Sequence, residues 1–319
     1  VSRDGVTVPP LNFESYYGRP IIKAPVWRWD IPAYLFTGGL AAGSALIAVG
    51  ADLTGRSALR RSGRLASLAA VGASTYFLVH DLGRPARFHH MLRVAKPTSP
   101  MSVGTWILAV FGPAAGAAAV SEVGPWLPRH GLFGLARRIA PPVGRAAGVV
   151  SAAMAPALAT YTGVLLADTA VPSWHEAYPW LPFLFSGSAL AGAAGLNLVA
   201  APRAEAGPLR RLVVAAAGLE LAAGRRVERM GLVSDPYRTG PAGVLLRAGR
   251  ALLVAGTVGA LLGRRSRVVS ALSGVALLAS SAATRFAVFQ AGLTSARDPR
   301  YTVLPQRQRL TEAAAAADN

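Results

Sequence analysis

The stretch Ile31-Pro-Ala-Tyr-Leu-Phe-Thr-Gly-Gly-Leu-Ala-Ala-Gly-Ser-Ala-Leu-Ile-Ala-Val-Gly-Ala51 runs for 21 residues without a charged side chain. As a helix it would be about 31 Å long, enough to cross a hydrocarbon core of roughly 30 Å. A surface helix of a soluble protein shows a polar stripe every turn. Leu35–Ala51 shows none. Seven further segments follow: Leu65–His80, Val103–Val120, Val143–Leu166, Leu181–Ala201, Leu212–Gly224, Ala242–Gly263 and Val268–Gln290. The expected fold is therefore an all-α integral membrane protein with eight transmembrane helices. The sixth span is short and holds Glu220, and the seventh carries Arg247 and Arg250. Without the sixth, the two ends of the chain would lie on opposite faces.

Composition narrows the chemistry. The chain has 319 residues and no cysteine, which excludes disulfides, thiolate-bound zinc and iron–sulfur clusters held by this chain. Its net charge of +18 would suggest nucleic acid or an anionic membrane surface. The apolar blocks remove the first reading. No secretory signal is visible in residues 1–30, so the first span is expected to act as an uncleaved insertion signal. Connections after spans 1, 3, 5 and 7 hold fourteen arginines against Asp52, Glu122 and Glu205. That asymmetry places them in the cytoplasm and both termini outside.

An internal echo suggests the architecture. Tyr34-Leu-Phe-Thr-Gly-Gly-Leu-Ala-Ala-Gly43 and Phe183-Leu-Phe-Ser-Gly-Ser-Ala-Leu-Ala-Gly192 are alike, each preceded by a Trp and a Pro. Four helices separate them, so both would enter the membrane in the same direction. This suggests two four-helix bundles related by a parallel pseudo-repeat, although apolar Gly/Ala helices also resemble one another by chance. The expected division is an extracytoplasmic docking segment 1–30, a first bundle 31–168, a second bundle 169–290 and an outer tail 291–319. Gly124–Pro142 mixes apolar residues with Arg129, Arg137 and Arg138 and is expected to lie flat on the cytoplasmic leaflet. Residues 296–319 read as a polar tail with no core-forming pattern.

Of five histidines only His80 lies in a span, at its end, so a bis-histidine haem is not expected. Polar residues gather at the outer membrane edge: Lys23, Trp27, Arg28, Trp29 and Asp30, then Tyr34, His80–Phe88, Lys96–Ser102, Tyr161 and Asp168. A quinone head group needs donors to its carbonyl oxygens and groups that relay protons. Tyr34, Tyr161, Trp27 and Asp168 are candidates for binding it, and Asp30, His80 and Asp81 for the relay. The tryptophans also suit an interfacial aromatic belt, and the two aspartates suit helix capping or local ion pairs. Glu220 and Arg285 lie at membrane depth, where ionisable residues pair or line a water path. Either a helix-joining pair or a proton route fits them.

These edge motifs resemble the NrfD/PsrC family, the membrane subunits of polysulfide-reductase-like complexes. Tyr16–Gly43 is similar to the entry into that family's first helix. His80–Phe88, Lys96–Ser102 and Tyr161–Ala167, with Pro172 and Trp174 beyond, are similar to later signatures, and the likeness is strongest over residues 12–180. The resemblance implies two four-helix bundles and a quinone, usually menaquinone, bound in the first. It implies a four-cluster ferredoxin-like iron–sulfur partner and, through it, a molybdopterin catalytic subunit of formate dehydrogenase or polysulfide/thiosulfate reductase type. It also implies site-facing roles for Tyr34 and Tyr161; some members carry His at the Tyr34 position. Residues 11–29 and 81–100, with Tyr17, Arg19, Lys23, Arg84, Arg87 and Arg93, are expected to dock the partner. A transporter and a passive anchor are the competing functions.

Overall fold

The computed structural model describes residues 21–317, with side chains as far as residue 311. Tyr17 and Arg19 lie outside the described residues. The helices are α1 (Asp30–Leu53), α2 (Ser57–His80), α3 (Pro100–Val120), α4 (Gly131–Ala167), α5 (Pro172–Glu176), α6 (Leu181–Ala200), α7 (Gly207–Val227), α8 (Asp235–Arg238), α9 (Gly240–Leu262), α10 (Arg267–Arg297) and α11 (Arg300–Ala317). Among the described residues there is no β-strand.

Six of these, α1, α3, α4, α6, α9 and α10, are long and apolar enough to cross a membrane. Helix α2 reaches that standard only together with the short helix Pro85–Arg93, from which it is bent by 102°. Helix α7 falls short because Arg210, Arg211, Glu220, Arg225 and Arg226 dilute its apolar residues. The protein is thus all-helical and multi-pass, with six or seven helices that meet the criterion for a span.

Helices α1 to α4 pack on one another, as do α6, α7, α9 and α10; α1 and α6 meet at the seam between the groups. The opening stretch supplies that crossing. A Cβ on Gly43 would lie 2.6 Å from Ala193 Cβ and 2.9 Å from the Ala189 carbonyl of α6. Only a missing side chain allows the two backbones to come this close, the usual role of small residues where lipid offers no hydrophobic drive between helices.

Three boundaries differ from the sequence expectation. Helix α2 begins at Ser57, not Leu65, so Arg60, Arg61 and Arg64 are helical. Buried Arg64 donates to Glu122 Oε1 at 2.9 Å, and Arg60 reaches the same oxygen at 2.8 Å and Asp52 Oδ1 at 3.3 Å. Glu205 accepts from the Leu59 backbone N–H at 2.7 Å and so satisfies a free donor of the first turn of α2. Compensated in this way, a charged turn continues into the span. Helix α4 begins at Gly131 and runs through Pro141 and Pro142, so Gly124–Pro142 divides between a 3-10 turn and the start of a 37-residue helix. The C-terminal region is not a featureless tail. Helix α10 extends to Arg297, and α11 follows with Tyr301 buried and Arg309 paired with Glu176.

Candidate functional site

Two phenols meet inside the first helical group. Tyr34 projects from α1 one turn beyond Asp30, on the same face. Tyr161 projects from α4, and the two hydroxyls hydrogen-bond to each other. Both rings are buried. Helices α2 and α3 complete the enclosure: buried Ser74 donates to the Tyr34 carbonyl at 3.3 Å, and the Tyr161 ring lies over Gly104, where any Cβ would overlap it. Each phenol can donate one hydrogen and accept others. A pair bonded to each other spends one O–H and leaves the second free to donate to a carbonyl oxygen.

One turn from Tyr34 lies an acid–imidazole pair. The buried Asp30 Oδ1 and His80 Nδ1 are hydrogen-bonded at 2.9 Å. The His80 ring is half-exposed, so the pair links a buried carboxyl group to the surface. Asp81 follows at the end of α2. Burial pushes its carboxyl above the usual range, and the nearby Asp30 charge adds to this; the Arg28 backbone N–H and the Arg28 and His80 side chains oppose it. Asp30, Tyr34, His80, Asp81 and Tyr161 are thereby gathered at one end of α1, α2 and α4.

The remaining candidates are placed elsewhere. The Trp27 ring stacks on Trp174 at 6.0 Å, and Trp174 packs against Phe289 and donates to the Val288 carbonyl at 2.8 Å. Trp27 therefore caps the packed core, whereas Trp29 is exposed with its edge against Phe77. Asp168 is two turns beyond Tyr161 and lines a separate cavity of about 600 Å³ with His175, Tyr301 and Arg309. Lys23 is exposed, as are Arg84, Arg87 and Arg93 on and beside the Pro85–Arg93 helix. A second cavity, of about 400 Å³ and almost wholly apolar, opens between α3 and α4, lined by Lys96, Ser102, Val103, Trp106, Ile107 and Met154 among others.

Glu220 and Arg285 are both buried, yet no direct ion pair joins them. Glu220 Oε1 accepts from Thr284 at 2.7 Å, and its Oε2 has no protein partner. Arg285 donates to the Phe185 carbonyl at 2.7 Å and stands 3.8 Å from the centre of the Phe185 ring. Its Nε and Nη1 have no protein partner. The guanidinium also borders α1, since a Cβ on Gly39 would come 3.0 Å from Nη2. Arg250 pairs with Glu228 and, with Glu220, lines a gap of about 10 Å³, room for about one water molecule.

The sequence reading missed Ser74, Gly104, Thr284 and Glu228. None carries a local signal. A serine, a threonine and a glycine within apolar helices look like ordinary packing residues until their neighbours are known.

Known proteins give this arrangement a context. The family described as "Polysulphide reductase, NrfD" matches residues 21–217. The C chain of polysulfide reductase from Wolinella succinogenes is 29% identical over 184 residues, 54% of this chain and 57% of that protein. Protein NrfD of Escherichia coli K12 is 29% identical over 202 residues, 55% of this chain and 59% of that protein. The present sequence therefore spans less than two thirds of either relative. The family match takes in both tyrosines, the Asp30–His80 pair and the α1–α6 seam, and on it the chain belongs to the NrfD family of polysulphide reductase membrane subunits.

Proposed function

We propose that the chain is the quinone-reactive membrane subunit of a respiratory oxidoreductase complex. In this reading it exchanges electrons between the quinone pool, menaquinone by family habit, and a four-cluster iron–sulfur subunit. That subunit would serve a molybdopterin enzyme, and the names of the relatives favour a polysulfide reductase-type complex. The observation that carries the reading is the buried Tyr34–Tyr161 pair, one helical turn from Asp30 and His80. Reducing a quinone consumes two protons with two electrons, so a site needs a donor to the carbonyl oxygen and a route for protons. The free phenol O–H supplies the donor. Asp30 and the half-exposed His80 ring supply the route, and Asp81 adds a second carboxyl at its mouth. Trp27, stacked on Trp174, and Asp168, in the separate cavity two turns beyond Tyr161, would act only as outlying neighbours of the site and not as contacts to the head group. The apolar cavity between α3 and α4 suits a head group arriving from lipid, with Lys96 and Ser102 at its rim.

In the same reading all eight long helices span, α7 included, as two bundles over 31–168 and 169–290 related by the pseudo-repeat. Both termini lie outside the cytoplasmic membrane. The segment 1–30 and the exposed Arg84, Arg87 and Arg93 would meet an acidic partner surface, and 291–319 would lie on the same side. Glu220 and Arg285 would form a proton relay at the seam, because buried polar atoms without protein partners favour ordered water.

The test is Tyr161→Phe in the purified complex. Quinone-linked turnover is expected to fall by about 10²–10⁴, the range for a general acid, while turnover with an artificial dye at the partner subunit is retained. Unchanged quinone turnover removes Tyr161 from the mechanism. Glu220→Gln, which keeps an acceptor for Thr284, is expected to slow quinone turnover and leave the dye rate unaltered; equal rates with both would return Glu220 to a structural role.

A further inference from the structure

Helix α4 is too long for the membrane it crosses. Its 37 residues extend about 55 Å, against a hydrocarbon core of roughly 30 Å. The excess lies at its N-terminal, arginine-rich end. An extension into water should turn polar there, but the lipid-type stripe continues. Leu132 is 84% exposed, Leu135 57%, Ile139 50% and Val143 49%, on the same face as Val149 and Val150 further along. Trp126, 72% exposed, stands beside this stripe with the Arg61 guanidinium 5.6 Å from its ring centre.

The charge around the stripe is strongly positive. Arg60, Arg61, Arg64 and Arg145 share only Asp52 and Glu122. Arg137 is occupied, donating to the Leu127 carbonyl at 3.2 Å and fixing the turn into α4. Arg129 and Arg138 are exposed and have no carboxylate partner among the described residues. An apolar stripe continuous with the lipid-facing surface, edged by uncompensated arginines, is the pattern of a helix seated in a membrane interface.

We propose that Trp126 and the first three turns of α4 lie in the interface and hold anionic phospholipid head groups through Arg129, Arg138 and Arg145. The occupant is a lipid of net negative charge. This seating is independent of the quinone site.

The test is lipid retention by the full chain, purified in mild detergent and mixed with vesicles of phosphatidylcholine and phosphatidylglycerol. Bound lipids are counted by native mass spectrometry. Phosphatidylglycerol is expected to be enriched over its share of the mixture. A surface arginine contributes about five-fold, so the triple variant Arg129→Gln, Arg138→Gln, Arg145→Gln should lose at least about ten-fold of that enrichment. Equal enrichment in the variant, or none in the parent, overturns the proposal. Displacement of the lipid by inorganic phosphate also overturns it, since that would mark a free-anion site. A second measurement leaves the arginines in place. The chain has no cysteine, so Leu135→Cys gives a single nitroxide site. In nanodiscs the label is expected to relax with dissolved oxygen more than with a water-soluble nickel reagent. The reverse order places the turn in water or against a soluble partner and refutes the seating.

Discussion

A double-mutant cycle on Tyr34 and Tyr161 tests the site without requiring turnover. The two hydroxyls are buried and, among the described residues, are each other's only side-chain partner. Tyr161→Phe leaves the Tyr34 hydroxyl buried without that partner, and Tyr34→Phe does the same to Tyr161. Stranding a buried hydroxyl costs about 1–3 kcal/mol. The double variant strands neither, and a ring of nearly the same shape fills each space, so it should lie within about 1 kcal/mol of the parent. The expected signature is therefore two destabilised singles and a recovered double, with a coupling energy of about 1–6 kcal/mol, the sum of the two single losses less that of the double. Unfolding of the detergent-solubilised chain in graded dodecyl sulfate, read by loss of helical circular dichroism, measures each corner. Added quinone extends the cycle. At a hundred times its dissociation constant, a ligand that binds only the folded state adds about 2.7 kcal/mol. Parent stability should rise accordingly, whereas the double variant should respond little. A double variant as unstable as the sum of the singles would refute the phenol contact. An equal quinone response in all four proteins would refute its use as a donor.

Two further outcomes follow from the geometry. The Asp81 carboxyl is raised by burial, so folding favours its protonated form. Its contribution to stability is greatest below the ordinary carboxylate range and falls as pH rises through the raised value; Asp81→Asn should flatten that part of a melting-temperature profile, and an unaltered profile would show the shift to be absent. Gly43→Val should force α1 from α6, because even a Cβ would lie 2.6 Å from Ala193 Cβ. Overpacking of this kind costs about 1–3 kcal/mol, so a melting temperature equal to the parent's would mean that the seam is looser than the crossing implies.

The hydrophobic blocks made much of the fold legible. Each of the eight segments read from the sequence overlaps a long helix, and the six most apolar of these helices are long enough to cross a membrane, because a long, largely apolar run has few alternatives in lipid. What the blocks could not show was how charges are tolerated beside them. Arg60, Arg61 and Arg64 read as a loop because three arginines oppose insertion, yet Glu122 and Asp52, brought in by the fold, let the helix continue. Tyr301 lies in a stretch whose composition promises no core, and it is buried nonetheless. At the site, Tyr34, Asp30, His80 and Tyr161 stood out as polar residues at membrane edges, and the fold brings them together. Gly104 and Ser74 did not, since the need for a small residue under an aromatic ring arises only after α3 and α4 have packed.

The arginine-rich face shows why a charge count alone misjudges such a surface. Fourteen arginines against three acids reads as a broad positive field. In the folded chain all three acids are committed: Asp52 and Glu122 to the arginines of α2 and α4, and Glu205 to the N-terminus of α2. Several arginines are committed too. Arg267 donates to the Leu198 and Ala201 carbonyls at the end of α6, and Arg210 to the Ala260 carbonyl near the end of α9. Helix C-termini present unpaired carbonyls and partial negative charge, so a guanidinium there satisfies the backbone. Arg267 and Arg210 thus cap helix ends as well as adding to the charge count. The charge left for interaction is concentrated near the start of α4, around Arg129 and Arg138, where an apolar stripe runs past the length that a bilayer requires.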